Sequence, residues 1–159
     1  MIENKILEYL QQLGIPVTTY EHEAAFTCEA MERITAHLPP IEHCKNLFLK
    51  DKRKRYWLLS ALYATKVELK TLAKQLDAPE LRFARPDELE AVLGVKPGSV
   101  TLLALINDTE HKVNMLLDKN LMEKISVGCH PLRNDMTTVI ATKDITKYLD
   151  ALGYTPIVV

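Results

Sequence analysis

No run of apolar residues in this chain approaches the length of about 20 that a helix needs to span a bilayer, so a helical membrane protein is excluded and no membrane partner is expected. The opening stretch, MIENKILEYLQQLG, mixes acidic, basic and apolar residues without the plan of a signal peptide, which gives a cytoplasmic expectation. Cysteine is scarce. Cys28, Cys44 and Cys129 show no CxxC spacing, and an odd number without a secretory signal reads as reduced thiols. Neither charge sign dominates: 20 Lys and Arg face 21 Asp and Glu, a net charge of −1, which argues against wholesale coating of nucleic acid. There are only five glycines, and no GxGxxG, Walker or GxSxG sequence occurs, so nucleotide cofactors and serine-hydrolase chemistry find no support. Internal repeats, low-complexity segments and interdomain linkers are also missing. Residues 1–159 are therefore expected to form one domain.

What is present is an ordinary globular composition, 47% hydrophobic and 26% charged, in a chain long enough to bury about two-thirds of its unfolded surface. Helical and strand patterns interleave, which predicts an α/β or α+β class. Ile2, Ile6, Leu7, Leu10 and Leu13 fall at helical spacing, and Gly14 closes that helix. Val17 to His22 reads as a strand. Thr27 reads as the N-cap of a helix running to about His37, stopped by Pro39-Pro40. In a strand from Lys45 to Lys50, residues 45, 47 and 49 share one face and 46, 48 and 50 the other. Tyr56 to Leu62 is apolar almost throughout, as a strand covered on both faces would be. Helices are predicted at Val67 to Leu76 and at Pro86 to Leu93, with a short strand near Leu81 to Ala84 between them. Val100 to Ile106 and Val113 to Leu117 look like a hairpin joined by the polar Asn107 to His111 loop. Strands at Ile125 to Cys129 and Thr137 to Ala141 and a helix at Asp144 to Leu152 complete the prediction.

Several residues are candidates for chemistry. Lys45 opens an apolar strand face, where its ammonium either snorkels to the edge or serves a bound carbonyl or phosphate. The run Lys50-Asp51-Lys52-Arg53-Lys54-Arg55 is cationic at five of six positions, which suits either a solvated hairpin turn or a phosphate-binding patch. His130 precedes a proline, which restricts its backbone and fixes where the ring points. The adjacent pairs His43-Cys44 and Cys129-His130 have zinc-ligand chemistry, but neighbours in a strand point to opposite faces, so no metal site is expected. Pro97-Gly98 is a turn signal. Such a turn either connects two elements or holds backbone groups against a ligand.

Four segments occur in an order that resembles a known family: Cys44-Lys45-Asn46-Leu47-Phe48-Leu49-Lys50-Asp51, Leu93-Gly94-Val95-Lys96-Pro97-Gly98-Ser99-Val100-Thr101, Leu105-Ile106-Asn107-Asp108 and His130-Pro131-Leu132. Together they are similar to the YbaK/prolyl-tRNA-synthetase-associated domain family, and within it to the freestanding trans-editing deacylases of Ala-tRNA(Pro). The resemblance covers nearly the whole chain. It implies a compact mixed β-sheet flanked by helices, hydrolysis of the ester between alanine and tRNA(Pro), and no metal or other cofactor. It also allows a partnership with prolyl-tRNA synthetase.

Carried over by position, Lys45 would contact the aminoacyl-adenosine end, with Asn46 beside it. The backbone of Gly98, Ser99, Val100 and Thr101 would place substrate and attacking water, and His130 would form a pocket wall. Lys50, Lys52, Arg53 and Arg82 would meet tRNA phosphates. Two positions depart from the family's usual pattern: Leu102 stands where proline is common, and Ala104 where glycine is. Those departures leave two alternatives open, a deacylase for cysteine or serine and a tRNA-binding module without hydrolysis.

Overall fold

A computed structural model describes residues 1–159. Helix α1 (Ile2–Gln12) buries Glu3, Ile6 and Leu10, and the chain leaves it through Gly14 at φ 72°. Strand β1 (Val17–Glu21) follows, then α2 (Cys28–Ile34). The Thr27 hydroxyl accepts from the Ala30 N–H at 3.0 Å, the N-cap expected from the sequence, although the helix ends three residues before His37. Strands β2 (Cys44–Lys50) and β3 (Tyr56–Leu62) pair antiparallel across the basic turn. Helix α3 (Leu69–Leu76), the short strand β4 (Arg82–Phe83) and α4 (Pro86–Leu93) come next. The remaining elements are β5 (Val113–Leu117), α5 (Lys119–Met122), β6 (Ser126–Cys129), β7 (Met136–Ala141), α6 (Thr142–Leu152) and β8 (Ile157–Val158).

The strands form two sheets, one ordered β4-β2-β3-β5-β8 and the other β1-β7-β6. They meet where His43 and Gly128 form an isolated bridge, with the Gly128 N–H donating to the Glu42 carbonyl at 2.8 Å. A Cβ at Gly128 would lie 2.6 Å from Ile41 and 2.8 Å from Thr137, so only glycine lets the sheets come this close. The alternation read from β2 is realised. Cys44 and Phe48 join the large core with α1, α4 and α6, while Leu49 joins Trp57, Leu59 and Leu72 in a smaller core under α3.

One predicted element is overturned. Residues Leu102–Asn107 form a 3-10 helix, not a strand, and β5 pairs parallel with β3 and β8, so there is no hairpin. Both edges of β3 are already taken, by β2 and β5, which leaves this segment no ladder to join. Its first four residues are buried on every side, and a short all-apolar run does not distinguish a buried strand from a buried helix. The deciding residues flank it. The Thr101 hydroxyl accepts from the Leu103 N–H at 3.2 Å and caps the helix. At the far end the Asp108 carboxylate accepts from the N–H groups of Lys112 and Val113, both at 3.0 Å, and from Tyr154 Oη at 2.7 Å.

Candidate active site

The first turn of α2, the start of β2, the turn after β3, the loop before the 3-10 helix and the end of β6 converge on one cavity of about 210 Å³. It is lined by five of the residues singled out in the sequence: Lys45, Asn46, Gly98, Val100 and His130. Ser99 and Thr101 do not line it. Thr101 is fully buried as a helix cap, because alternate residues of this extended loop face opposite ways. Ala104 lies wholly in the core, so its methyl group packs the interior and leaves the cavity's volume alone.

Lys45 is half-buried, and its ammonium donates to the carbonyls of Tyr63 at 3.3 Å and Thr65 at 2.5 Å. The charge is thus held at the rim by backbone rather than by a carboxylate, which leaves one of its N–H groups for a ligand. Asn46 accepts a hydrogen bond from the Ser60 hydroxyl through Oδ1, which orients the amide and keeps its N–H₂ for a ligand.

His130 donates from Nδ1 to the Met136 carbonyl at 3.2 Å, a tautomer that leaves Nε2 as an acceptor. Burial lowers its pKa, so the ring is neutral at pH 7. His43, behind the cavity, stacks on Tyr63 with ring centres 5.4 Å apart and bonds Thr35 through Nε2 at 2.9 Å. Burial brings its pKa down to about 4.

The loop before the 3-10 helix is a tight turn. The Ser99 N–H donates to the Lys96 carbonyl at 3.0 Å, Pro97 occupies the second position, and Gly98 the third with φ 90°, the arrangement of a type II turn. That φ favours glycine, and a Cβ at residue 98 would also lie 2.9 Å from Cδ1 of Phe26. Phe26, 72% exposed, covers the turn at the cavity mouth.

Sequence reasoning missed Phe26, Cys28, Met31 and Tyr63 as parts of the lining, which Ala25, Thr27 and Cys44 complete. The Thr27 N-cap was the available signal, since it places Cys28 and Met31 one turn apart on the same helix face. Burial raises the pKa of the Cys28 thiol. Cys44 Sγ lies 3.8 Å from Cys129 Sγ in the core; the hydrogen bond between the thiols, helped by burial, pushes Cys44 well up.

The basic turn divides. Lys50 pairs with the buried Glu88 at 2.5 Å, and this bond draws the Glu88 carboxyl down to about 2. Arg55 pairs with Asp51 at 2.8 Å and Arg53 with Asp77 at 3.4 Å, whereas Lys52 and Arg82 are exposed and have no ion pair. Lys45 and Lys50 are five strand steps apart, so the basic turn lies roughly 17 Å from the cavity.

Residues 22–148 match the aminoacyl-tRNA editing domain family. The chain belongs to that family. The editing domain is 36% identical over 159 residues to prolyl-tRNA synthetase associated domain-containing protein 1 of Danio rerio, covering 99% of this chain and 86% of that protein. It is 34% identical over 152 residues to the prolyl-tRNA editing protein ProX of Acetoanaerobium sticklandii, covering 94% and 92%. Among solved structures, a candidate trans-editing enzyme for prolyl tRNA synthetase superposes with a TM-score of 0.74 at 16% identity, over 98% of this chain and 94% of that one, which shows the shared fold. No helix is long and apolar enough to cross a membrane.

Proposed function

We propose that this editing domain hydrolyses the ester of tRNA(Pro) mischarged with alanine, acting in trans on a product of prolyl-tRNA synthetase. Family membership makes it an aminoacyl-tRNA hydrolase. The observation that carries the finer reading is the convergence of Lys45, Asn46, Gly98, Val100 and His130 on one small cavity. A synthetase pocket built for proline separates it from alanine by little, since a methylene or two supplies only about 1–3 kcal/mol, and a second, hydrolytic sieve makes up the difference. A cavity of about 210 Å³ is below the usual range for drug-sized ligands and suits one small side chain.

In this reading alanine enters between α2 and the start of β2, and Lys45 holds the oxygen-rich aminoacyl-adenosine end. The Gly98 turn presents backbone polar groups to the ester and to a water molecule, with His130 Nε2 as an acceptor on the cavity wall. Water oxygen bonds to the carbonyl carbon and the bond to the ribose oxygen breaks. One proton of that water passes to the ribose oxygen to give the 3′-hydroxyl, while the other is released as the freed alanine leaves as a carboxylate. Lys52, Arg53 and Arg82 meet phosphates of the acceptor arm, and the whole chain, 1–159, works as one unit.

A deacylation assay on tRNA(Pro) charged with alanine, proline, serine or cysteine tests this. Release of alanine is expected to be fastest, with proline retained. Preference for cysteine or serine would reassign the substrate, and binding without release of any amino acid would leave a tRNA-binding module.

A further inference from the structure

The proposed chemistry leaves Asp118 unused, yet this carboxylate is only 4% exposed and has no cationic partner. A charge at such depth is costly unless hydrogen bonds engage it fully. Oδ1 caps the four-residue α5, accepting from the Asn120 N–H at 3.0 Å, a task that a neutral side chain performs equally well. Oδ2 reaches elsewhere, to the Leu62 N–H at 3.2 Å and the Thr65 hydroxyl at 2.6 Å. Those donors bracket the turn after β3, which the Thr65 N–H closes onto the Leu62 carbonyl at 3.1 Å. The same turn carries the two carbonyls, of Tyr63 and Thr65, that hold the Lys45 ammonium, and the Tyr63 ring that lines the cavity.

We infer that Asp118, which does not itself line the cavity, is a positioning residue for Lys45: it pins the Leu62–Thr65 turn and thereby fixes the carbonyls that hold the ammonium at the rim. The inference rests on the editing reading only for the role of Lys45.

The test uses Thr65→Val, Thr65→Ser and Asp118→Asn in the full chain, alone and with Lys45→Ala. Thr65→Val keeps the side-chain shape and removes only the hydroxyl, so a folded variant is available even if Asp118→Asn melts. Misplacing a reacting group by an ångström costs up to about a hundredfold in rate, so kcat for Ala-tRNA(Pro) should fall about tenfold or more in Thr65→Val. Thr65→Ser should restore it. In the Lys45→Ala background the same change should have no further effect, because both act through one amine. Lysine-labelled NMR should show the Lys45 Cε resonance shifted in Thr65→Val. Wild-type kcat with an unmoved Lys45 signal overturns the inference, as does a loss that multiplies that of Lys45→Ala. If the wild-type protein deacylates no tRNA, the editing reading fails by itself, and the Lys45 resonance still decides the positioning.

Discussion

At the scale of single residues, the proposed chemistry turns on one amine and one missing side chain, and each is open to substitution. Lys45→Ala should lower kcat/KM for Ala-tRNA(Pro) at least about a hundredfold, the range seen when a preorganised charge is removed. The melting temperature should stay near wild type, because the half-buried ammonium has no charged partner to strand. Lys45→Arg should also be poor, since a planar fork does not fit between the two carbonyls that hold a compact ammonium. Single-turnover deacylation with a parallel thermal melt reads both. Gly98→Ala combines a left-handed φ with a 2.9 Å approach to Phe26, so it should slow deacylation by displacing the turn or the ring. Ser99→Ala should change little, because that hydroxyl does not line the cavity. A fully active, well-folded Gly98→Ala protein would reduce the turn to a connector.

At the scale of elements, the cations of the β2–β3 turn divide into a deeply paired one, Lys50, and exposed ones. Lys50→Ala would take from the buried Glu88 its nearest cation, leaving Tyr56 and Arg85, so its main effect should be a lower melting temperature. Neutralising Lys52, Arg53 and Arg82 should instead weaken tRNA binding and flatten the salt dependence by about one log–log unit for each phosphate no longer neutralised. Affinity measured from low to high salt checks this, and an unchanged slope would make the patch merely solubilising. Most elements were legible in the sequence because they carry local signals: the Thr27 cap, Pro86 opening α4, the alternation along β2. The 3-10 helix was not, because which ladder edges are free is decided by strands far away in the chain. The same distinction applies to the site. Lys45 and Gly98 sit in local patterns, whereas Phe26 and Tyr63 reach the cavity only through the packing of α2 and the turn after β3. Leu102 is also explained at this scale. It is the first residue of a helix, where proline is tolerated, so the family's usual residue and this one suit the same backbone.

At the scale of the whole molecule, acidity should weaken the fold before the carboxylates protonate. His43 is neutral in the native state with a pKa of about 4, while in the unfolded chain a histidine takes up a proton below about 6.5. The unfolded state therefore binds more protons as pH falls from 6.5 towards 4, and stability is lost across that window; the lowered pKa of His130 acts in the same direction. Glu88, held at about 2, keeps its stabilising effect until the pH falls below about 4.3, the unfolded range of a glutamate. The melting temperature should thus drop between pH 7 and 5, and His43→Gln should reduce that drop; a flat profile would contradict the assignment. The pairing of β1 with β7 has a kinetic side. Thr19 and Thr138, whose hydroxyls meet at 2.9 Å, are 119 residues apart, so the small sheet closes a loop spanning most of the chain. Loop closure of that length is entropically unfavourable, and topologies dominated by such distant pairings fold slowly. An oxidised Thr19→Cys, Thr138→Cys protein, with the loop closed in advance, should refold faster than its reduced form in stopped-flow fluorescence of Trp57. Phe26, Lys45, Gly98 and His130 are all strung along that loop, so a chain halted before it closes is expected to lack an assembled cavity and with it any place for the proposed aminoacyl ester.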